Sequence, residues 1–305
     1  MGSFLPSFNR LMVITIPIVA MGALLSGVYY FTPTPQPKVR AILVLEKPAP
    51  VLVAPPATIK PLQPHPTQPI ASGNQNTKGR IALIITGLGM NEALTHKAIK
   101  DLPTNVTMAF TPYTPLLRQF LTDNKVNGHE ALLLIPMEGQ HYPLTDSGPL
   151  MLKRGDPKTM TANLDVLLTK GTDIIGVMDM GGSALMQNKE AVGSLFRYLH
   201  DKKILFVDGR SALLSEGPAI STTVKNPYIS VTHILDDAPS PTNIKKAFDT
   251  MADQAHVFSY AIGIIHATPF SMQFIPTWVK AIKSYGLELV PLSTLVPTPG
   301  TSIAS

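Results

Sequence analysis

The chain has 305 residues, 45% hydrophobic and 15% charged, with 29 prolines and no cysteine. That composition excludes wholesale disorder. The lack of cysteine excludes disulfides, thiolate zinc sites, iron–sulfur clusters and a cysteine nucleophile. The formal charge is +5, but residues 1–78 hold six cations against the single acid Glu46, while residues 79–305 are balanced. The charge belongs to a tail, and no nucleic-acid partner is expected.

In chain order, a short tail (1–10) precedes Leu11–Phe31, a run of 21 residues without a charge. That is long enough to cross about 30 Å of hydrocarbon. Tyr29 and Tyr30 stand at one end, where interfacial rings are favoured. The spacing predicts an uncleaved transmembrane anchor over 11–32. A cleaved signal peptide is the alternative, but the run is long for one and no small-residue cleavage site follows. The cations on the two sides do not fix its orientation. Residues 33–69 contain eleven prolines, which remove backbone donors and favour polyproline II. With the polar stretch 71–78 they predict a spacer over 33–78 that holds a domain, 79–305, away from the membrane.

From residue 79 apolar strands alternate with amphipathic helices. Strands are expected at 80–86, 105–110, 131–135, 173–177, 204–207, 229–235, 259–265 and 288–291. Helices are expected at 91–101, 115–125, 156–168, 188–200, 241–256 and 273–284. The third helix opens on Asp156-Pro157, a start signal. Such alternation argues for parallel βαβ units covered on both faces. The number of units in about 225 residues suits a closed (β/α) barrel, with an open doubly wound sheet as the alternative.

Function in such folds collects at the carboxyl ends of the strands. Four strand ends carry an acid or imidazole: Glu138, Asp179, Asp208 and His266. Asp236 or Asp237 is a fifth. Glu138, Asp179 and Asp208 are the candidate catalytic carboxylates, although Asp after a strand is often a helix cap. Tyr113, His129 and Arg210 are candidate substrate contacts, but His129 precedes its strand, on the wrong rim for a barrel site. Asp208 and Arg210 could instead pair with each other and brace the rim. The sequence Thr86-Gly87-Leu88-Gly89 lacks the spacing of a phosphate loop. Ser183 and Ser211 lack a nucleophile-elbow context.

Several co-linear blocks carry a resemblance. They are Val106-Thr107-Met108-Ala109-Phe110-Thr111-Pro112-Tyr113, Gly128-His129-Glu130 with Pro136-Met137-Glu138, Gly182-Ser183, Phe206 to Ser211, Ile234-Leu235-Asp236-Asp237 and Ala261 to His266. Over roughly 80–296 the chain resembles the divergent polysaccharide deacetylases, relatives of the NodB-type carbohydrate esterases. The resemblance implies an irregular (β/α) barrel outside the inner membrane of a Gram-negative cell. It also implies deacetylation of a glycan by a divalent metal, usually zinc, held by Asp and two His, with a carboxylate as base. It places Thr86 and Gly87 where the family has an Asp-Asp pair, Met180 where it has a metal-binding histidine, and His266 at the one retained ligand. Thr and Met are poor zinc ligands, so zinc is not expected to bind here.

Two readings follow. One is a single-pass inner-membrane protein with a periplasmic domain that has lost the family's catalysis and binds an envelope glycan or envelope protein. The other is an active metal-dependent deacetylase with a rewired, oxygen-rich site of Asp179, Glu138 and His266.

Overall fold

The computed structural model of the protein describes residues 79–297. The expected tail, anchor and spacer (1–10, 11–32 and 33–78) lie outside the described residues. Among these, no helix is long and apolar enough to cross a membrane.

The elements run β1 (Arg80–Leu88), α1 (Glu92–Asp101), β2 (Val106–Phe110), α2 (Leu117–Val126), β3 (Ala131–Met137), α3 (Pro157–Lys170), β4 (Gly176–Gly181), α4 (Lys189–Asp201) and β5 (Leu205–Asp208). They continue with α5 (Gly217–Val224), β6 (Tyr228–Ser230), β7 (His233–Ile234), α6 (Pro241–Phe258), β8 (Tyr260–His266), α7 (Ser271–Ala281) and β9 (Glu288–Leu289). Asn91, Asp156, Asn188 and Ser240 each accept the backbone N–H three residues on and so fix four helix starts.

All pairings are parallel, in the order β6-β5-β4-β3-β2-β1-β8-β7. This is the strand sequence of a (β/α) barrel, not the reversed order of a doubly wound sheet. The expected closure is not complete, because β6 pairs only with β5 and β7 only with β8. The expected single strand over 229–235 is split at this seam. Thr232 leaves the ladder there and exchanges hydrogen bonds with Ile262 through its hydroxyl.

Alternation along each strand sorts the core into two layers. Ile81, Leu83, Ile85, Phe110 and Leu133 face the helices and pack in one cluster with Phe196 of α4 and Phe248 of α6. Ala82, Ile84, Leu132, Leu134, Met178, Val207, Ile262 and Ile264 form the inner layer. Gly263 lets α6 approach β8: a Cβ there would lie 2.5 Å from Met251 Sδ. The inner layer is completed from below. β9 pairs with Arg80 and Ile81, beneath the point where β2 begins its pairing at Leu83. Val290, Leu292 and Leu295 then join the inner cluster.

Two expectations are displaced. The fourth strand is Gly176–Gly181, not 173–177. Asp173 adopts a left-handed φ of 59° in the turn before it, and β3 runs on through Pro136 and Met137 to pair with Met180 and Gly181. Pro136 does not end its strand, because its carbonyl accepts from Leu152 N. Helix α5 was not expected at all. Its sequence GPAISTTV lacks a helical apolar period, and Thr222 and Thr223 bond back to the carbonyls of Pro218 and Ala219.

Candidate active site

The carboxyl ends of the strands surround a pocket of about 170 Å³. Leu134, Met178, Met180, Ile234 and Ile264 supply apolar lining; Thr86, Asp179, Ser211 and His266 supply polar groups. Alternation continues the inner rows Ala82-Ile84 and Ile262-Ile264 to Thr86 and His266, which are direct register partners. Thr86, one of the two positions where the resemblance expects an Asp-Asp pair, therefore meets Met180 and His266, where it expects histidines, in one pocket.

His266 is the retained imidazole. Its Nδ1 lies 3.1 Å from Asp236 Oδ2 and 3.2 Å from Oδ1, and its backbone N–H donates to Asp236 Oδ2 at 2.9 Å. The bond to Asp236 raises the imidazole's pKa, against the opposing effect of burial. Burial opposes ionisation of Asp236, but the His266 contacts outweigh it and hold the carboxyl below its ordinary value. His266 Nε2 has no hydrogen-bond partner among the described residues, and the side chain is 59% exposed.

Asp179 is only 6% exposed. Its Oδ1 accepts the Gly209 N–H, but Oδ2 and the nearby Ser211 Oγ are buried without hydrogen-bond partners. Burial, followed by the neighbouring Asp208 carboxylate, pushes Asp179 up to about 7. An acid in this setting holds a proton far more readily than an ordinary carboxylate.

The other candidates lie outside the pocket lining. Asp208 accepts from Arg210 N (2.8 Å), Ser215 Oγ (2.7 Å) and Tyr228 OH (2.8 Å), tying the loop after β5 to β6. Its expected ion pair with Arg210 is corrected. The guanidinium instead donates to Thr232 O at 2.8 Å, spanning the seam, while Arg210 itself takes a left-handed φ of 62°. Glu138 accepts from Arg154 Nη2 and Arg154 N, both at 2.8 Å, and these bonds hold its pKa low against burial. Tyr113 OH accepts from Leu150 N at 3.3 Å, and its ring lies so close to Gly148 that a Cβ there would be 2.6 Å away. Glu138 and Tyr113 thus brace residues 138–154.

His129 is also corrected. It is buried at the opposite end of the barrel, with Nδ1 and Nε2 each 3.0 Å from a carbonyl, those of Val106 and Ile99. This contact bolts α1 to β2 and offers nothing to a substrate. The rewired metal site of Asp179, Glu138 and His266 is not assembled. Among the described residues no three His, Asp or Glu side chains stand together as a metal site. Arg154 draws Glu138 away, and Asp236 occupies Nδ1 of His266. With Thr86 and Met180 completing the pocket, the donor set does not fit zinc. The sequence marks Asp236 only as one of two adjacent acids after a strand. The signal for its role was an acid directly after one strand and a histidine at the end of another, and only the β7–β8 pairing joins them.

The family model for divergent polysaccharide deacetylases matches residues 83–296. The chain is similar to an uncharacterized protein of known structure, ATU2773 from Agrobacterium tumefaciens C58. The two are 30% identical with a TM-score of 0.70, over 74% of this chain and 91% of that one. It is 20% identical over 225 residues to the uncharacterized protein YibQ of Escherichia coli K12, covering 72% of this chain and 68% of that protein. It is 21% identical over 218 residues to a Haemophilus influenzae protein, covering 72% and 77%. With its barrel order, its strand-end pocket and a family match that spans the described domain, the chain belongs to the divergent polysaccharide deacetylase family.

Proposed function

We propose that this protein has given up the family's metal-dependent hydrolysis and uses the strand-end pocket to bind an envelope glycan. The observation that carries this reading is the content of the pocket: Thr86, Met180 and His266 line it together, a hydroxyl and a thioether standing where the resemblance expects an acid and a histidine. The pocket keeps apolar walls beside hydroxyl, acid and imidazole groups, a combination suited to a sugar ring with polar substituents. Its size limits it to about one ring. The unbroken apolar run 11–32 and the proline-rich stretch 33–78 support a single-pass inner-membrane protein that carries the domain on a spacer in the periplasm.

The test uses the full chain in detergent. Metal content is measured after purification without a histidine tag, and binding of N-acetylated glycan fragments is followed with and without added zinc, together with acetate release. The expected result is saturable binding that does not depend on zinc, with no metal-dependent acetate release. Stoichiometric zinc with zinc-dependent acetate release would overturn the proposal in favour of an active deacetylase. Absence of glycan binding would overturn the glycan and leave an envelope protein as the partner.

A further inference from the structure

A closed barrel holds its wall by backbone ladders all the way round. This one has a seam, because β6 pairs only with β5 and β7 only with β8. At the seam the chain changes partner within two residues. Val231 N donates to Asp208 O at 2.9 Å, and Thr232 N donates to Ile262 O at 2.8 Å. Thr232 O accepts from Arg210 Nη1 at 2.8 Å, so a side chain from the β5 loop reaches the chain that enters β7. Both banks of the seam are pocket wall: Gly209 and Ser211 line it on the β5 side, Ile234 on the β7 side. Arg210 therefore stands between two lining residues and bonds two residues short of the third. Its backbone is pinned as well. Arg210 N donates to Asp208 Oδ1 at 2.8 Å, and Gly209 N donates to Asp179 Oδ1. The turn gives Arg210 a φ of 62°, a left-handed conformation that suits glycine better than any residue with a Cβ. What arginine supplies there, and glycine lacks, is a side chain that crosses the seam.

We propose that Arg210 is a positioning residue for the pocket: its clasp on the Thr232 carbonyl sets the gap between Ser211 and Ile234 and keeps the seam-side wall in the shape that receives a ligand. Arg210 acts through the Gly209–Ser211 turn and the Thr232–Ile234 strand, and touches no ligand itself. A charged donor makes a stronger hydrogen bond than a neutral one, but this bond is exposed and water competes for both ends. Its loss releases the two banks while β5, β6, β7 and β8 keep their own ladders. The clasp is thus expected to govern the pocket's shape far more than the stability of the domain. The inference rests on the pocket being the binding site, as the glycan reading has it, but the order of the two banks is measured without any ligand.

The test compares the full chain in detergent with Arg210→Gly, Arg210→Ala and Arg210→Lys. Arg210→Gly keeps the left-handed turn and discards the clasp, so it separates the two. Amide hydrogen exchange is followed by peptide mass spectrometry over 206–214 and 228–236, and affinity is measured for triacetylchitotriose. Both segments are expected to exchange ~10-fold faster in the Gly and Ala variants, with β1, β2 and β3 exchanging as in the parent. The dissociation constant for triacetylchitotriose should rise on the order of 10-fold in both. Arg210→Lys, which retains a cationic donor, should come back to within ~3-fold of the parent on both measures. Parent-like exchange in the Gly variant would overturn the clasp. So would faster exchange throughout the domain, which would make Arg210 a general stabiliser, or parent-like affinity in the Gly variant. A parent chain that does not bind triacetylchitotriose would count against the glycan reading alone. The exchange comparison would then decide the clasp by itself, for it if the change is confined to the two banks and against it if there is none.

Discussion

The two ends of the barrel treat polar groups in opposite ways. At the end where the strands begin, both nitrogens of His129 are occupied, and Asn124 donates to the His129 carbonyl. Glu130 accepts from Thr107 Oγ1, Ser293 N and Ser293 Oγ. Asn124 Oδ1 is the one buried side-chain atom of this group without a partner. At the end where the strands finish, Asp179 Oδ2 and Ser211 Oγ are buried without partners, Thr86 Oγ1 and the exposed His266 Nε2 bond to nothing among the described residues, and all four residues line one pocket. Unmet hydrogen-bonding capacity lowers stability, and a fold tolerates it chiefly where a ligand meets it. The first end holds the fold together; the second is organised to receive something.

That contrast can be broken most forcefully at the satisfied end. His129→Ala removes a buried ring and the N–H it donates to one of the facing carbonyls of Val106 and Ile99, which should cost about 2–4 kcal/mol in denaturant unfolding. Asp179→Asn should act with the opposite sign. The raised pKa means that the folded chain binds a proton which the unfolded chain releases between about pH 4 and 7. Stability therefore falls as pH rises through that window and stays low above it. The Asn variant should remove that fall and, at pH 8, gain up to about 4 kcal/mol. If its thermal-melt pH profile matches that of the parent, Asp179 is not the buried acid the structure describes. Arg154→Ala leaves Glu138 without its guanidinium, but that side chain is partly exposed. About 1 kcal/mol should be lost by urea titration, and glycan binding should change little. Ser211→Ala sharpens the contrast at the small end: a hydroxyl with no partner should be removable within about 0.5 kcal/mol.

The strands were legible because a run such as RIALIIT is apolar on both faces and short, as a strand covered on both sides requires. The fourth strand was misplaced by three residues. Its leading DII is as apolar as the true strand, and only the extension of β3 through a proline sets the register. Helix α5 was invisible because tertiary contacts, not periodicity, hold GPAISTTV. For the site, position was readable and partnership was not. The strand ends named Glu138, Asp179, Asp208 and His266, but each carboxylate's allegiance depends on a residue far off in sequence or in a loop of unpredictable path. Arg154 claims Glu138, Tyr228 and Ser215 claim Asp208, and Asp236 claims His266. Of the three carboxylates only Asp179, left with an idle oxygen, lines the pocket, beside His266.

The pairing of β9 with the first two residues of β1 has a practical consequence. Gly79 and Pro297 both meet the barrel at the rim where the strands begin, since Arg80 Nη1 reaches Thr294 O and Ser293 is held by Glu130. A fluorescent protein, an affinity handle or a solid support joined near either boundary would therefore attach on the far side from the pocket. The mouth would stay open to a large polymeric ligand even with the domain immobilised.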